Sequence, residues 1–136
     1  MVKVIMGVKG TGKTKQLVDL IHKSASEATG VVVCIENGAK MTYDIPYTVR
    51  LVDAAAYGSH NFDYLKGLIS GLHAGNYDIN EVYIDNLLKI TNGTLGEACD
   101  DFVRWCAAFG EREGVNFTMT VSGDIALASE TIKAYL

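Results

Sequence analysis

The sequence predicts an α/β fold, a three-layer sandwich around a five-stranded, mostly parallel sheet, in one domain spanning 1–136. Three observations predict it. Short β-branched runs alternate with longer stretches of helical periodicity along the whole chain. Val31-Val32-Val33-Cys34-Ile35 is a continuous apolar run, as in strands buried on both faces. Between the first apolar run and the first helical stretch lies Gly7-Val8-Lys9-Gly10-Thr11-Gly12-Lys13-Thr14, a G-x-x-x-x-G-K-T loop.

That loop organises the chain. Its glycines allow tight turns and positive φ, so the backbone can wrap an anion with its N–H groups. In such a loop Lys13 reaches the β- and γ-phosphates and the Thr14 hydroxyl ligates Mg²⁺. A helix starting near Gly12 brings the positive end of its dipole to the same point. The flanks are strand before and helix after. Val2-Lys3-Val4-Ile5-Met6 is short and β-branched, and Leu17, Leu20, Ile21, Ala25 and Ala28 recur at helical spacing.

The remaining elements follow in order. The first helix spans about Lys13 to Ala28, before Gly30. The strand at 31–35 ends in Glu36-Asn37-Gly38, a turn signal that sets a carboxylate at the ligand-binding edge of a parallel sheet. Asn37 to Tyr47 is a loop limited by Pro46. Residues 48–52 form a short strand toward an edge. Phe62, Leu65, Ile69 and Leu72 share a helical stripe. Gly67, Gly71 and Gly75, four apart on that helix, predict close packing against the sheet. Glu81-Val82-Tyr83-Ile84-Asp85 is a buried strand ending in aspartate, with Asp85 either a metal-site residue or the cap of a turn. Thr94-Leu95-Gly96-Glu97 reads as a capping box, opening a helix whose core stripe is Leu95, Cys99, Phe102, Cys106 and Phe109. Gly114 ends that helix. Residues 115–121 form the fifth strand, and Asp124 caps a last helix reaching Tyr135. His22, His60 and His73 read as surface or half-buried residues without metal-ligand spacing.

Composition narrows the function classes. The net charge is −4 and no basic run is present, so nucleic-acid binding gains no support. No stretch approaches the roughly 20 apolar residues needed to span a bilayer, and no separate apolar run precedes the first strand, so neither a membrane span nor a signal peptide is expected. Three cysteines without paired spacing suit reduced thiols in the cytoplasm.

With these motifs in hand, the chain resembles the P-loop NTPase superfamily, and within it the RecA-like branch. The loop GVKGTGKT is the Walker A motif of that superfamily, and Asp85 after an apolar strand matches its Walker B position. The resemblance implies an ATP- or ADP-binding protein in which Gly7, Val8, Lys9, Gly10, Thr11, Gly12, Lys13 and Thr14 cradle the phosphates. Thr14 and Asp85 would serve Mg²⁺, and Ser122 would stand as a γ-phosphate sensor. Glu36, after VVVCI, falls where RecA-like ATPases carry their catalytic glutamate, acting with Lys13. Its alternative is to cap the Asn37-Gly38 turn or hold a water of the metal's outer shell. The branch also implies the sheet order 3-2-4-5-1, strands numbered along the chain. That order leaves the first strand at an edge, to be shielded by the final helix or by a second copy in a homo-oligomer. No arginine finger is identifiable among Arg50, Arg104 and Arg112. The functions implied are Mg²⁺-dependent ATP binding with slow hydrolysis; a non-hydrolysing switch or subunit read by a protein partner; and a small-molecule kinase with its acceptor near 37–47.

Overall fold

The computed structural model describes residues 1–57 and 60–136. Five strands form one sheet: β1 (Val2–Gly7), β2 (Val31–Glu36), β3 (Arg50–Asp53), β4 (Ile79–Ile84) and β5 (Asn116–Ser122). Their order across the sheet is β1-β5-β4-β2-β3, the expected order read from the other edge. Every neighbouring pair is parallel. The expectation of a mostly parallel sheet thus sharpens to an all-parallel one.

Among the described residues five α-helices accompany the strands: α1 (Lys13–Glu27), α2 (Phe62–Gly75), α3 (Leu87–Thr91) and α4 (Glu97–Glu113) lie between them, and α5 (Glu130–Lys133) follows the last. Side-chain alternation along the strands sorts them onto two faces. On one face Leu17 and Ile21 of α1 pack with Val32, Cys34 and Tyr83, and the 37–49 loop completes the cover with Met41, Ile45 and Val49. On the other, Leu65, Ile69, Phe102, Val103 and Cys106 pack against Val33, Ile35, Val82, Ile84, Phe117 and Met119. Helices on both sides of a parallel sheet give the layering of a three-layer sandwich.

The β1 edge is covered by the chain itself. The amide of Val4 donates to the carbonyl of Tyr135 at 2.8 Å, and Ile132 of α5 is buried in the same cluster as Val2 and Val4. Phe117 donates its amide to the Met1 carbonyl, extending the parallel ladder to its first residue.

Several local expectations are corrected. The glycines of α2 do not meet the sheet: a side chain at Gly67, Gly71 or Gly75 would enter open space. They lie on the solvent side, about 200° around the helix from Leu65 for Gly67, since each residue turns the helix by about 100°. Replacing Gly67 by alanine therefore stabilises the fold by about 0.5–1 kcal/mol, because alanine loses less backbone entropy and clashes with nothing. A denaturant melt reads the gain, and a loss of stability would restore the packing role. The capping box at 94–97 does not form. Gly96 is the N-cap of α4 with no side-chain cap bond, and Glu97 pairs instead with Arg104. Asp124 caps a 3₁₀ turn at Ile125–Leu127 through the Ala126 amide, whereas Ser129 caps α5 through the Ile132 amide. His73 is buried, edge-on to Phe109 and Tyr77, because it lies on the core-facing side of α2. The third strand is shorter than expected, and the short helix α3 and a 3₁₀ turn at Ala54–Tyr57 were not foreseen.

Cys99 and Cys106 share the buried face of α4, as their spacing predicts. Cys34 is buried beside the Met41 sulfur at 3.7 Å. Burial, with Glu36 and Asp85 adding to it, pushes the Cys34 thiol up to about 12, so it stays protonated and inert.

Candidate functional site

Register and alternation bring the polar residues to one end of one face. Ile35 pairs with Ile84, and Ile84 with Met119, all three on the α2–α4 side. Asp85 and Thr120, each one residue further on, therefore turn to the α1 side at the carboxyl edge of the sheet. Gly7 stands opposite Ser122 in the same edge. A parallel sheet gathers its ligand groups at this edge, where strand ends and helix starts converge.

The 7–14 loop bridges β1 and α1. Gly10 and Gly12 hold φ of 87° and 80°, left-handed values open to glycine at no steric cost. Gly12 is the N-cap of α1, and no side chain caps that helix. Its first-turn amides and the positive end of its dipole are left for a ligand. Within the loop, Thr11 donates its hydroxyl to the Val8 carbonyl at 2.8 Å. Lys13 is 8% exposed, and its ammonium donates to the same carbonyl at 3.0 Å. The loop is thus folded around its own lysine.

Thr14 faces Asp85 across the sheet edge, its Oγ1 lying 3.3 Å from both carboxylate oxygens. That separation is long for a direct O–H···O bond, whose usual length is about 2.7–2.8 Å. Asp85 is anchored from two other directions. Its own amide donates to the Ile35 carbonyl at 2.9 Å, and the Thr120 hydroxyl donates to Oδ1 at 2.9 Å. Thr120 in turn accepts the Asn86 amide at 2.7 Å, and Asn86 takes a left-handed φ of 59° as the chain turns into α3.

These groups surround an open cleft of about 300 Å³. Lys9, Lys13 and Lys15 line it, Asp85 is its one acidic group, and Thr14, Thr120 and Ser122 complete its polar wall. The balance of charge favours an anion. A hydroxyl and a carboxylate are hard oxygen donors of the kind Mg²⁺ takes together with phosphate and water. Among the described residues no three His, Cys, Asp or Glu side chains cluster as a metal site. A cation held here would depend on Thr14, Asp85 and the ligand's own oxygens.

Glu36 ends β2 on the same face, but it does not line this cleft. It is 4% exposed, and its Oε2 accepts the Met41 amide at 2.9 Å. Burial raises its carboxyl above the ordinary 4.5; the Met41 and Lys40 amides oppose the rise, and nearby Asp85 adds to it. Asp53, its register neighbour in β3, accepts the Gly38 and Ala55 amides at 2.8 Å each. Two carboxylates therefore fasten the turn that begins at Asn37. Ser122 is half-buried and lines the cleft beside Thr120.

Thr120 is the residue that sequence reasoning missed. The signal was the pattern of β5, where Thr118, Thr120 and Ser122 alternate with Phe117, Met119 and Val121. Polar residues at every second position of a buried strand mark a face with polar work to do. Thr120→Val keeps the shape and removes the hydroxyl, freeing Asp85 from one of its two anchors. If the cleft takes Mg²⁺ together with a nucleotide, the valine weakens the metal about fivefold, the scale of one hydrogen bond, and Thr120→Ser restores it. A magnesium titration of nucleotide binding checks this; a valine variant with unchanged magnesium dependence would reduce Thr120 to packing.

No helix among the described residues is long and apolar enough to cross a membrane. No protein-family model matches the chain, and no curated protein matches it either.

Proposed function

We propose that this protein is a P-loop protein of the RecA-like branch that binds ATP with Mg²⁺ and hydrolyses it slowly. The observation that carries the reading is the meeting of Lys13, Thr14 and Asp85 at the uncapped start of α1. The strand order supports the same branch, because β5 separates the strand before the loop from the strand before Asp85.

In this reading the loop amides and Lys13 bind the phosphate tail, the lysine exchanging the Val8 carbonyl for phosphate oxygens. Thr14 and Asp85 would hold Mg²⁺, which supplies positive charge to the β- and γ-oxygens. Thr120 fixes the direction of Asp85. Ser122, the register neighbour of Gly7 in the cleft wall, would touch the terminal phosphate. Glu36 would orient the attacking water once its carboxylate leaves the Met41 amide.

The Glu36–Met41 bond also favours a second reading, a non-hydrolysing switch whose state a protein partner reads. Turnover separates the readings. ATP consumed without an acceptor indicates an ATPase, consumption only with an acceptor indicates a kinase, and binding without turnover indicates a switch. Absence of any Mg²⁺-dependent nucleotide binding in calorimetry would defeat all three.

A further inference from the structure

We infer that the amino edge of the sheet, the end opposite the 7–14 loop, carries a second binding site, which takes a small carboxylate with an apolar body. The site is the cleft under the last turn of α2, and it does not depend on the phosphate-binding reading above.

The register explains why a cleft forms there. β3 begins with Arg50 opposite Val33, so Val31 and Val32 at the start of β2 extend beyond it. α2 joins β3 to β4 and crosses β2, which lies between them. Its last turn therefore stands over the notch that the short β3 leaves. Val31 and Val33 form the floor of the cleft, with Ile79 at the start of β4 beside them. Leu72, Gly71 and Gly75 form the helix wall, and the two glycines put no side chain into the space. The cleft is open and holds about 360 Å³, within the range of small-molecule sites. Beneath its floor, Val33, Leu72 and Ile79 also border an apolar void of about 10 Å³, so the packing there is incomplete.

The polar side chains of the cleft offer donors. Arg50 and Asn76 line it beside the four apolar side chains, and among the described residues no carboxylate does. Arg104 and Arg112 each pair with a glutamate, whereas among the described residues no carboxylate pairs with Arg50. Asn76 Oδ1 accepts the Asp78 amide at 3.0 Å, which leaves its own N–H groups to donate. A guanidinium and an amide above an apolar floor select the ligand. A planar carboxylate meets the guanidinium fork with both oxygens. A phosphate monoester brings a further charged oxygen that would lie against the floor and be desolvated without a partner. A cation is repelled by Arg50, and an uncharged apolar molecule leaves the arginine unpaired.

The test is an amide NMR titration of the whole chain with hexanoate and with hexan-1-ol, on the wild type and two variants. Hexanoate shifts the amides of 31–33 and 71–76 along a saturable curve. Hexan-1-ol binds at the same amides about fivefold more weakly, the scale of an ion pair that water still reaches. Arg50→Gln removes the charge at an exposed position and lowers hexanoate affinity about fivefold, on the same scale. It leaves hexan-1-ol within about twofold. Gly71→Leu places a side chain in the open space of the cleft, and no saturable shift remains for either probe. A thermal melt checks that both variants fold; leucine for glycine inside a helix is itself stabilising. Wild-type shifts that never saturate, or that centre on the 7–14 loop, overturn the site. So does wild-type binding in Gly71→Leu. Equal affinities for the two probes, or a hexanoate affinity that Arg50→Gln leaves unchanged, overturn the carboxylate.

Discussion

Replacing Lys13 by alanine lowers the affinity for Mg²⁺–ATP by about 10²-fold or more. Lys13 is largely buried along its stem, and its ammonium has one protein partner, the Val8 carbonyl at 3.0 Å. A neutral acceptor is a modest partner for a charge, whereas a hydrogen bond to an ionised group contributes about 1.5–3 kcal/mol. Since each 1.4 kcal/mol is a factor of about ten, two such contacts to phosphate oxygens account for two decades. Lys9 and Lys15 also line the cleft, but both are exposed. Water screens exposed charges strongly, so neither replaces Lys13. The fold survives the change, because the Val8 carbonyl keeps the Thr11 hydroxyl as a donor at 2.8 Å. Calorimetry on both proteins checks the affinity and a thermal melt checks the fold. Equal affinity would remove the 7–14 loop from the function altogether.

The parts of this molecule that local chemistry determines were legible in the sequence. The loop needs glycines for its positive φ, and only a few sequences meet that need between an apolar run and a helix. The five strands were visible as apolar runs, and the resemblance to RecA-like proteins supplied an order that the sheet follows. The apolar β1 was readable as an edge in need of cover, and the C-terminal segment provides it through Tyr135 and Ile132.

What was not legible is which partner a polar side chain takes. Glu36 and Asp85 lie at adjacent strand ends on one face. One is fastened to a turn through the amide five residues ahead, the other to a hydroxyl on a third strand. That choice depends on the path of the 37–49 loop, which carries no periodic signal. The capping box failed because the helix starts later than the motif implies: Gly96 is the N-cap, so Glu97 is the first helical residue rather than the third, and it pairs with Arg104. The glycines of α2 are a different case. Their angular distance from Leu65 and Ile69 was calculable from helix geometry alone, so the solvent side was readable.

Glu36 supplies the second large effect: Glu36→Gln leaves ATP binding within a few fold and cuts turnover about 10²-fold or more, the scale of losing a general base. The choice of glutamine follows from the hydrogen bond to Met41. An alanine variant would lose both the carboxylate and the anchor of the turn, and a slow enzyme could then be blamed on a displaced loop. Glutamine retains an amide oxygen to accept the Met41 N–H, so the turn stays fastened and only the charge and basicity go. A pH series on folding provides the control. Burial raises the folded carboxyl above 4.5, so the native state binds this proton more tightly than the unfolded chain. Stability from this group is full below the ordinary value and is lost as pH rises through the folded one. Glu36→Gln abolishes that decline, which shows that the substituted site is the buried one. If stability then responds as expected while turnover is unchanged, Glu36 is an anchor for the turn and the base lies elsewhere. If turnover falls with binding and fold preserved, the carboxylate leaves the Met41 amide during the reaction, and the 37–41 turn moves with each cycle of nucleotide.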